Sequence, residues 1–171
     1  EILFDDCMVP KENLLGEEGR GFYALMQGLE RERLCAAALS YMAGQVALDE
    51  AIKYAKERTQ FGQPIFKFQA INHMIADMAT EVESGKRLSY HAASMYDAGI
   101  KCNKEVAMAK LYCSEMALRV IDKAVQIHGG YGFMMEFPVA RLYRDAKLMT
   151  IGAGTSQVQK HVILGEMGLR M

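Results

Sequence analysis

The chain has 171 residues, 51% of them hydrophobic, with 20 basic against 21 acidic side chains and four cysteines. That length buries one sizeable core, so a single compact domain is expected, together with a fragment of another at most. Balanced charge without a long single-sign run gives no footprint for a nucleic-acid backbone or a basic membrane-binding face, and no apolar stretch approaches the roughly 18 residues of a membrane span.

The first residues, with Glu1, Asp5 and Asp6, lack the basic-then-apolar order of a signal peptide, and a soluble intracellular protein is expected. The stretch up to Pro10 alternates imperfectly, with Ile2 and Phe4 on one side and Asp5 and Asp6 beyond, and reads as the end of a strand followed by a turn. A lone strand has no partner, so residues 1–18 are expected to be the tail and linker of a domain that lies upstream, and 19–171 a helical domain.

After a turn rich in Gly and Glu, an apolar-periodic run from Phe22 to about Glu57 contains no proline and predicts one very long helix. Leu25, Leu29, Glu32, Ala36 and Leu39 share one face of it, which places the Glu32 carboxylate on an apolar stripe and predicts its burial. A carboxylate taken out of water is costly unless paired or protonated, and such burial suits a general base. An ion pair of Glu32 with Arg31, Arg33 or a distant cation is the more ordinary reading of the helix pattern alone.

Gly62 and Pro64 break the chain, and Phe68, Ile71, Ile75, Met78 and Val82 carry a second helix toward Asp97, punctuated by Gly99. Asn103 suits the N-cap of a third helix, whose stripe from Val106 to Ile127 stops at Gly129 and Gly130. Pro138 opens a fourth helix to about Met149, and Thr155 or Ser156 caps a last one toward Met167. Long helices and short loops predict an all-α fold, an antiparallel four-helix bundle. The 13 methionines read as adaptable core filling. Without a Cys-x-x-Cys pair, the cysteines read as free thiols, Cys35 and Cys113 buried among Ala, Leu and Met. No histidine follows a Glu by three residues, and no metal is expected.

Three segments sit where helices begin or end: Arg58-Thr59-Gln60-Phe61-Gly62 ahead of Gln69, Gln126-Ile127-His128-Gly129-Gly130-Tyr131-Gly132, and Ile151-Gly152-Ala153-Gly154-Thr155-Ser156-Gln157. The double glycine lets a backbone approach a ligand closely, and the third segment offers hydroxyls and free amides to a phosphate or sugar oxygen. Each is weak alone, and no strand precedes any of them, which excludes a Rossmann fingerprint.

Together, in this order and spacing, they closely resemble the C-terminal domain of the flavin-dependent acyl-CoA dehydrogenases, over essentially the whole chain. Leu3-Phe4-Asp5-Asp6 with Val9-Pro10 is similar to the last strand of that family's middle β-domain. The resemblance implies FAD-dependent oxidation of an acyl-CoA thioester to the trans-2-enoyl-CoA, a carboxylate taking the α proton while the β hydrogen leaves as hydride to the flavin. An electron-transferring flavoprotein is the implied acceptor. In most members the base immediately precedes the Gly-Thr of the third motif, where this chain has Ala153. The isovaleryl- and long-chain-specific branches carry it on the first long helix in a Glu-Arg-Leu context, which Glu32-Arg33-Leu34 matches, so Glu32 is the expected catalytic base.

By the same resemblance, Arg58, Gln69, Gln126, Ile127, His128, Gly129, Gly130, Thr155, Ser156 and Gln157 are expected FAD contacts, some reaching the flavin of a neighbouring subunit. Tyr23, Glu30, Arg31 and Arg33, with Ala153 and Gly154, match positions lining the acyl-CoA site. For Arg33, a structural partnership with a helix carboxylate is nearly as good a reading. Glu30 lies about 200° around the helix from Glu32 and points elsewhere. Arg144 and Asp145 are expected to form architectural salt bridges. The family also implies a homotetramer or homodimer, a bacterial cytoplasmic or mitochondrial matrix location, and a segment that is inactive alone. The competing expectation is a non-catalytic, dehydrogenase-like assembly or scaffold module.

Overall fold

The computed structural model describes residues 1–169, apart from the side chain of Gln27; residues 170–171, at the end of the expected helical domain, lie outside the described residues. Helix α1 spans Gly21–Glu57, α2 Gln69–Asp97, α3 Asn103–His128, α4 Gly130–Phe133, α5 Pro138–Met149 and α6 Ser156–Glu166. Between α1 and α2 lies a two-stranded antiparallel hairpin, β1 (Thr59–Gln60) and β2 (Gln63–Pro64), with Thr59 opposite Pro64.

Local chemistry sets these boundaries. The hairpin turns on Phe61 at φ 52° and Gly62 at φ 79°, the paired positive φ values of a type I′ turn. Phe61 accepts that conformation with its ring packed edge-on to Phe68 at 6.1 Å. Helix α2 ends in a Schellman motif: Gly99 adopts φ 68°, its N–H donates to Tyr96, and the Ile100 N–H donates to Met95. Pro138 occupies the first turn of α5, and the Thr155 hydroxyl caps α6 by accepting from the Val158 N–H. At α3 the N-cap is Cys102 rather than Asn103, because the Asn103 side chain is engaged in tertiary bonds with Arg33 and Glu166.

Side-chain pairs fix the topology. Tyr54 near the end of α1 stacks on His128 at the end of α3, while Arg33 reaches Asn103 at the start of α3, so α1 and α3 run parallel. Glu81 of α2 bonds Arg119 and Lys123, and Ser89 meets Cys113, so α2 runs antiparallel to α3. Phe137, just before α5, contacts His128, and the far end of α5 lies beside Glu32 and Cys35, so α5 descends along α1 and α3. The result is an up-down-up-down bundle of α1, α2, α3 and α5, with α6 as an additional helix against α3 and α4 as a single turn at its end. One core cluster fills the middle and the Tyr54 end, around Met78, Met116, Val120 and Ile121; a smaller one around Ala37, Ala92, Cys102 and Val106 fills the other.

The structure corrects several expectations. Residues 1–20 contain no strand; they are exposed, with one 3-10 turn at Lys11–Asn13, because no neighbouring strand is present to pair with Ile2 to Phe4. The stripe predicted to be buried on α1 is not: Leu25 is 56% exposed, Leu39 60%, and Glu32 is exposed. The buried face is instead Ala37, Ser40, Gly44, Ala47, Ala51 and Ala55. These small side chains let α2 and α3 approach closely, a packing gain that the bulkier leucine stripe does not offer. Cys113 is buried but Cys35 is exposed, on the same open face as Glu32; all four cysteines are free. Arg144 and Asp145 form no ion pair among the described residues, since both sit on the outward side of α5.

Candidate functional site

The expected site residues gather at two ends of the bundle. At the first end, α5 runs into the turn 150–155, which is closed by the Gly152 N–H donating to Leu148 and the Ser156 N–H donating to Thr150. Ala153 (φ 53°) and Gly154 (φ 92°) are both left-handed, a conformation that costs a residue with a Cβ about 1–2 kcal/mol. Facing this turn across an open groove of about 460 Å³ is α1, which contributes Arg31, Glu32, Cys35, Ala36 and Leu39; Leu148, Met149, Gly152 and Ala153 complete the lining. Glu32 makes no ion pair or hydrogen bond among the described residues, so neither Arg31 nor Arg33 pairs with it. Its carboxylate stands in an otherwise largely apolar groove.

The turn is held from inside. The Ala153 carbonyl accepts from Arg33 Nε at 3.4 Å and Gln159 Nε2 at 3.1 Å; the Gly154 carbonyl accepts from Gln159 Nε2 at 2.9 Å and Lys110 Nζ at 2.7 Å. Burial, and then the neighbouring Arg33 charge, lower the pKa of Lys110, opposed by Glu115. Burial likewise lowers that of Arg33, opposed by Glu30. Glu30 is turned from the groove and accepts from Cys102 Sγ at 3.6 Å; burial and this carboxylate push the Cys102 thiol up. Tyr23 is exposed under the Arg20 guanidinium, 4.3 Å from its ring centre. Of the residues expected at the acyl-CoA site, the structure therefore brings Glu32, Arg31 and Ala153 together, places Gly154 behind them, and directs Arg33 and Glu30 into the bundle.

At the second end, a pocket of about 570 Å³ is lined by Arg58, Ile127, His128, Gly129 and Gly130, with Tyr54, Gln60, Ile65, Tyr131 and Met134. His128 is buried, donates from Nδ1 to the Ala124 carbonyl at 2.8 Å, and stacks on Tyr54 at 4.3 Å. Arg58 ends α1 and lies 5.8 Å over the Tyr131 ring. Gly129 (φ 59°) ends α3, and a Cβ built on it or on Gly130 would meet nothing within 4 Å, so the backbone is open to a ligand. Gln69 and Gln126 are exposed but outside the pocket lining. Ser156 is buried and Gln157 exposed at the start of α6, by the first groove.

The two ends are far apart: His128 stands 18 residues beyond Lys110 on α3, about 27 Å at 1.5 Å per residue. Tyr54, Tyr131, Leu148, Met149 and Lys110 join the sites without having been expected there. Lys110 carried a signal in its spacing, four residues from Val106 and three from Cys113 on the buried stripe of α3.

Residues 19–168 match the acyl-CoA dehydrogenase C-terminal domain family, and the chain belongs to that family. It is 54% identical over 165 residues to subunit CarC of the caffeyl-CoA reductase-Etf complex of Acetobacterium woodii, covering 96% of this chain and 44% of that one. It is 45% identical to the mitochondrial short-chain specific acyl-CoA dehydrogenase of Mus musculus, covering 97% and 40%. The solved structure of butyryl-CoA dehydrogenase from Megasphaera elsdenii superposes with a TM-score of 0.93 at 44% identity, covering 96% of this chain and 43% of that one. The chain thus spans less than half the length of these relatives. Among the described residues, no helix is long and apolar enough to cross a membrane, and no group of three or more His, Cys, Asp or Glu could hold a metal ion.

Proposed function

We propose that this chain is the C-terminal domain of an FAD-dependent acyl-CoA dehydrogenase, in which Glu32 takes the α proton of the acyl thioester. The supporting observation is the groove itself: a carboxylate on α1, unpaired among the described residues, faces an apolar cleft whose opposite wall, Ala153, leaves space where a larger side chain would stand. Leu39, Leu148 and Met149 exclude water from an acyl chain lying between α1 and the turn, and Glu32 reaches the α carbon from one side. FAD, when bound, supplies the acceptor for the β hydride. The donor set fits such a group: Arg58 for a phosphate oxygen, open backbone at Gly129 and Gly130, aromatic walls at Tyr54 and Tyr131, and the α6 N-terminus with Gln157.

Since about 27 Å of helix separates the two clusters, one flavin cannot bridge them within a chain. The pocket at Arg58 and His128 therefore serves the flavin of a neighbouring subunit in a homotetramer or homodimer. Residues 1–18 join the bundle 19–171 to an upstream domain, which covers the exposed Leu25 and Leu39 stripe and completes the flavin-ring and thioester contacts. The segment alone is then inactive. An electron-transferring flavoprotein is the electron partner, as the name of the 54% identical relative says of that complex, and the location is a bacterial cytoplasm or a mitochondrial matrix. That name also favours a second reading, reduction of an enoyl-CoA, in which protonated Glu32 returns its proton to the α carbon; the geometry serves either direction.

The test is anaerobic mixing of the complete polypeptide, in its oxidised and reduced flavin states, with saturated and unsaturated acyl-CoA thioesters. Bleaching of the oxidised form by saturated thioesters supports the dehydrogenase, and reoxidation of the reduced form by unsaturated ones alone supports the reductase. A complete polypeptide without flavin leaves the scaffold module instead.

A further inference from the structure

We propose that Lys110 and Gln159 are positioning residues that hold the Ala153–Gly154 turn in place as the wall of the groove opposite Glu32. This rests on the proposed dehydrogenase function and extends it to two side chains that never touch the substrate. Both are 0% exposed, and Lys110 is the largest fully buried side chain of the described residues. Its ammonium makes no ion pair among them; its bond goes to the Gly154 carbonyl.

A buried cation with no ion-pair partner among the described residues, and only the more distant charge of Glu115 acting on it, is an expensive way to fill a helix interface, since an apolar side chain of similar length would pack there without desolvation. What Lys110 adds is a charge-assisted bond of 2.7 Å that fixes one peptide of a strained turn. Gln159 reaches back from α6 to bond both carbonyls with one amide nitrogen, and its buried Oε1 has no hydrogen-bond partner among the described residues. Leaving a buried acceptor unmade is unfavourable and persists where the donor side has a task. The space around the turn agrees: a Cβ at Gly154 would come 2.9 Å from Gln159 Nε2.

These anchors determine the groove. With the two carbonyls drawn toward α3 and α6, planar trans peptides turn the Gly154 and Thr155 N–H groups away from the interior. Ala153 keeps φ 53° and its place in the lining opposite Glu32. Releasing one anchor lets the turn relax toward ordinary φ and moves that wall, and a displacement of about 1 Å at a reacting site costs up to about 100-fold in rate.

The complete polypeptide and its Lys110→Met variant test this with two readouts. The first is kcat per bound flavin and KM in anaerobic turnover with a thioester. The second is hydrogen exchange of the Gly152 and Ser156 amides, which close the turn on Leu148 and Thr150. Expected are a fall in kcat per flavin of at least about tenfold with KM changed less than about threefold, and exchange at those two amides faster by at least about tenfold while α2 is unchanged. Loss of melting temperature or flavin content with kcat per flavin and turn exchange at wild-type values overturns the proposal and leaves Lys110 a packing residue. If Lys110→Met does not fold, Gln159→Met is measured in the same two ways, and the same results support or overturn the proposal. A wild type that reacts with no thioester refutes the dehydrogenase reading, whereas the exchange comparison still decides whether the turn is held by these side chains.

Discussion

Gly132 is the position where a single methyl group should do the most damage. It is buried in α4, and a Cβ there would lie 2.5 Å from the Val125 carbonyl oxygen, 3.0 Å from Val125 Cα and 3.1 Å from His128 Cβ. Ordinary contact begins near 3.4 Å, so about 0.9 Å must be recovered, and the obstructing oxygen is backbone that no rotamer change can move. Overpacking of this kind costs about 2–3 kcal/mol, which for a chain of this size is a fall in Tm of about 5–10 °C. The displaced turn carries Tyr131, which packs 5.3 Å from Phe137 and under Arg58, so the second pocket should open as well. Thermal unfolding of Gly132→Ala by far-ultraviolet circular dichroism reads the loss of stability. Gly28→Ala is the control: a Cβ there meets nothing within 4 Å in mid-helix, and it should stabilise by about 0.5–1 kcal/mol. A Gly132→Ala Tm at or above that of wild type would show that the turn gives way freely and that no such clash exists.

Met116 is fully buried between α1, α2 and α3, and Met116→Ala should cost about 2–5 kcal/mol in urea unfolding. Burial pushes the Glu81 carboxyl up, but hydrogen bonds from Lys123 and Arg119 outweigh it and hold its pKa below the ordinary value. A carboxyl depressed in the folded state stabilises above its unfolded pKa of about 4.3. Glu81→Gln should therefore lose about 1–2 kcal/mol near neutral pH, and the difference from wild type should vanish as pH falls through the folded pKa, which urea unfolding across that range would show. Ala153 already occupies a left-handed conformation opposite Glu32, so a carboxylate moved there, Glu32→Gln with Ala153→Glu, should recover part of the flavin reduction lost in Glu32→Gln alone.

The helices were legible because their punctuation is local: Pro138 at the first turn of α5, Gly99 after α2 and Thr155 before α6 all act through their own backbone. The choice of buried face on α1 was not legible. Hydrophobicity ranked the Leu25 to Leu39 stripe first, whereas packing selected Ala37, Ser40, Gly44 and Ala47, a preference that depends on the shape of α2 and α3 rather than on α1 itself. A charge on an apolar stripe is indeed buried in this bundle, but it is Lys110 on α3 rather than Glu32 on α1. The divergence of Glu30 from Glu32 followed from helical geometry and is seen in the bond from Cys102 to Glu30. That Arg58 meets His128 and Gly129 in one pocket, about 27 Å along α3 from Lys110 and the turn, follows from α1 and α3 running parallel, which no motif spacing encodes.

The role of Glu32 as base can be measured by α-proton exchange, without requiring the whole reaction. In deuterium oxide, the complete polypeptide with bound FAD should wash deuterium into the α position of a saturated acyl-CoA thioester, and Glu32→Gln, with flavin content unchanged, should slow that exchange by about 100-fold or more. Exchange in Glu32→Gln at the wild-type rate would remove Glu32 from that role and assign the proton to another group.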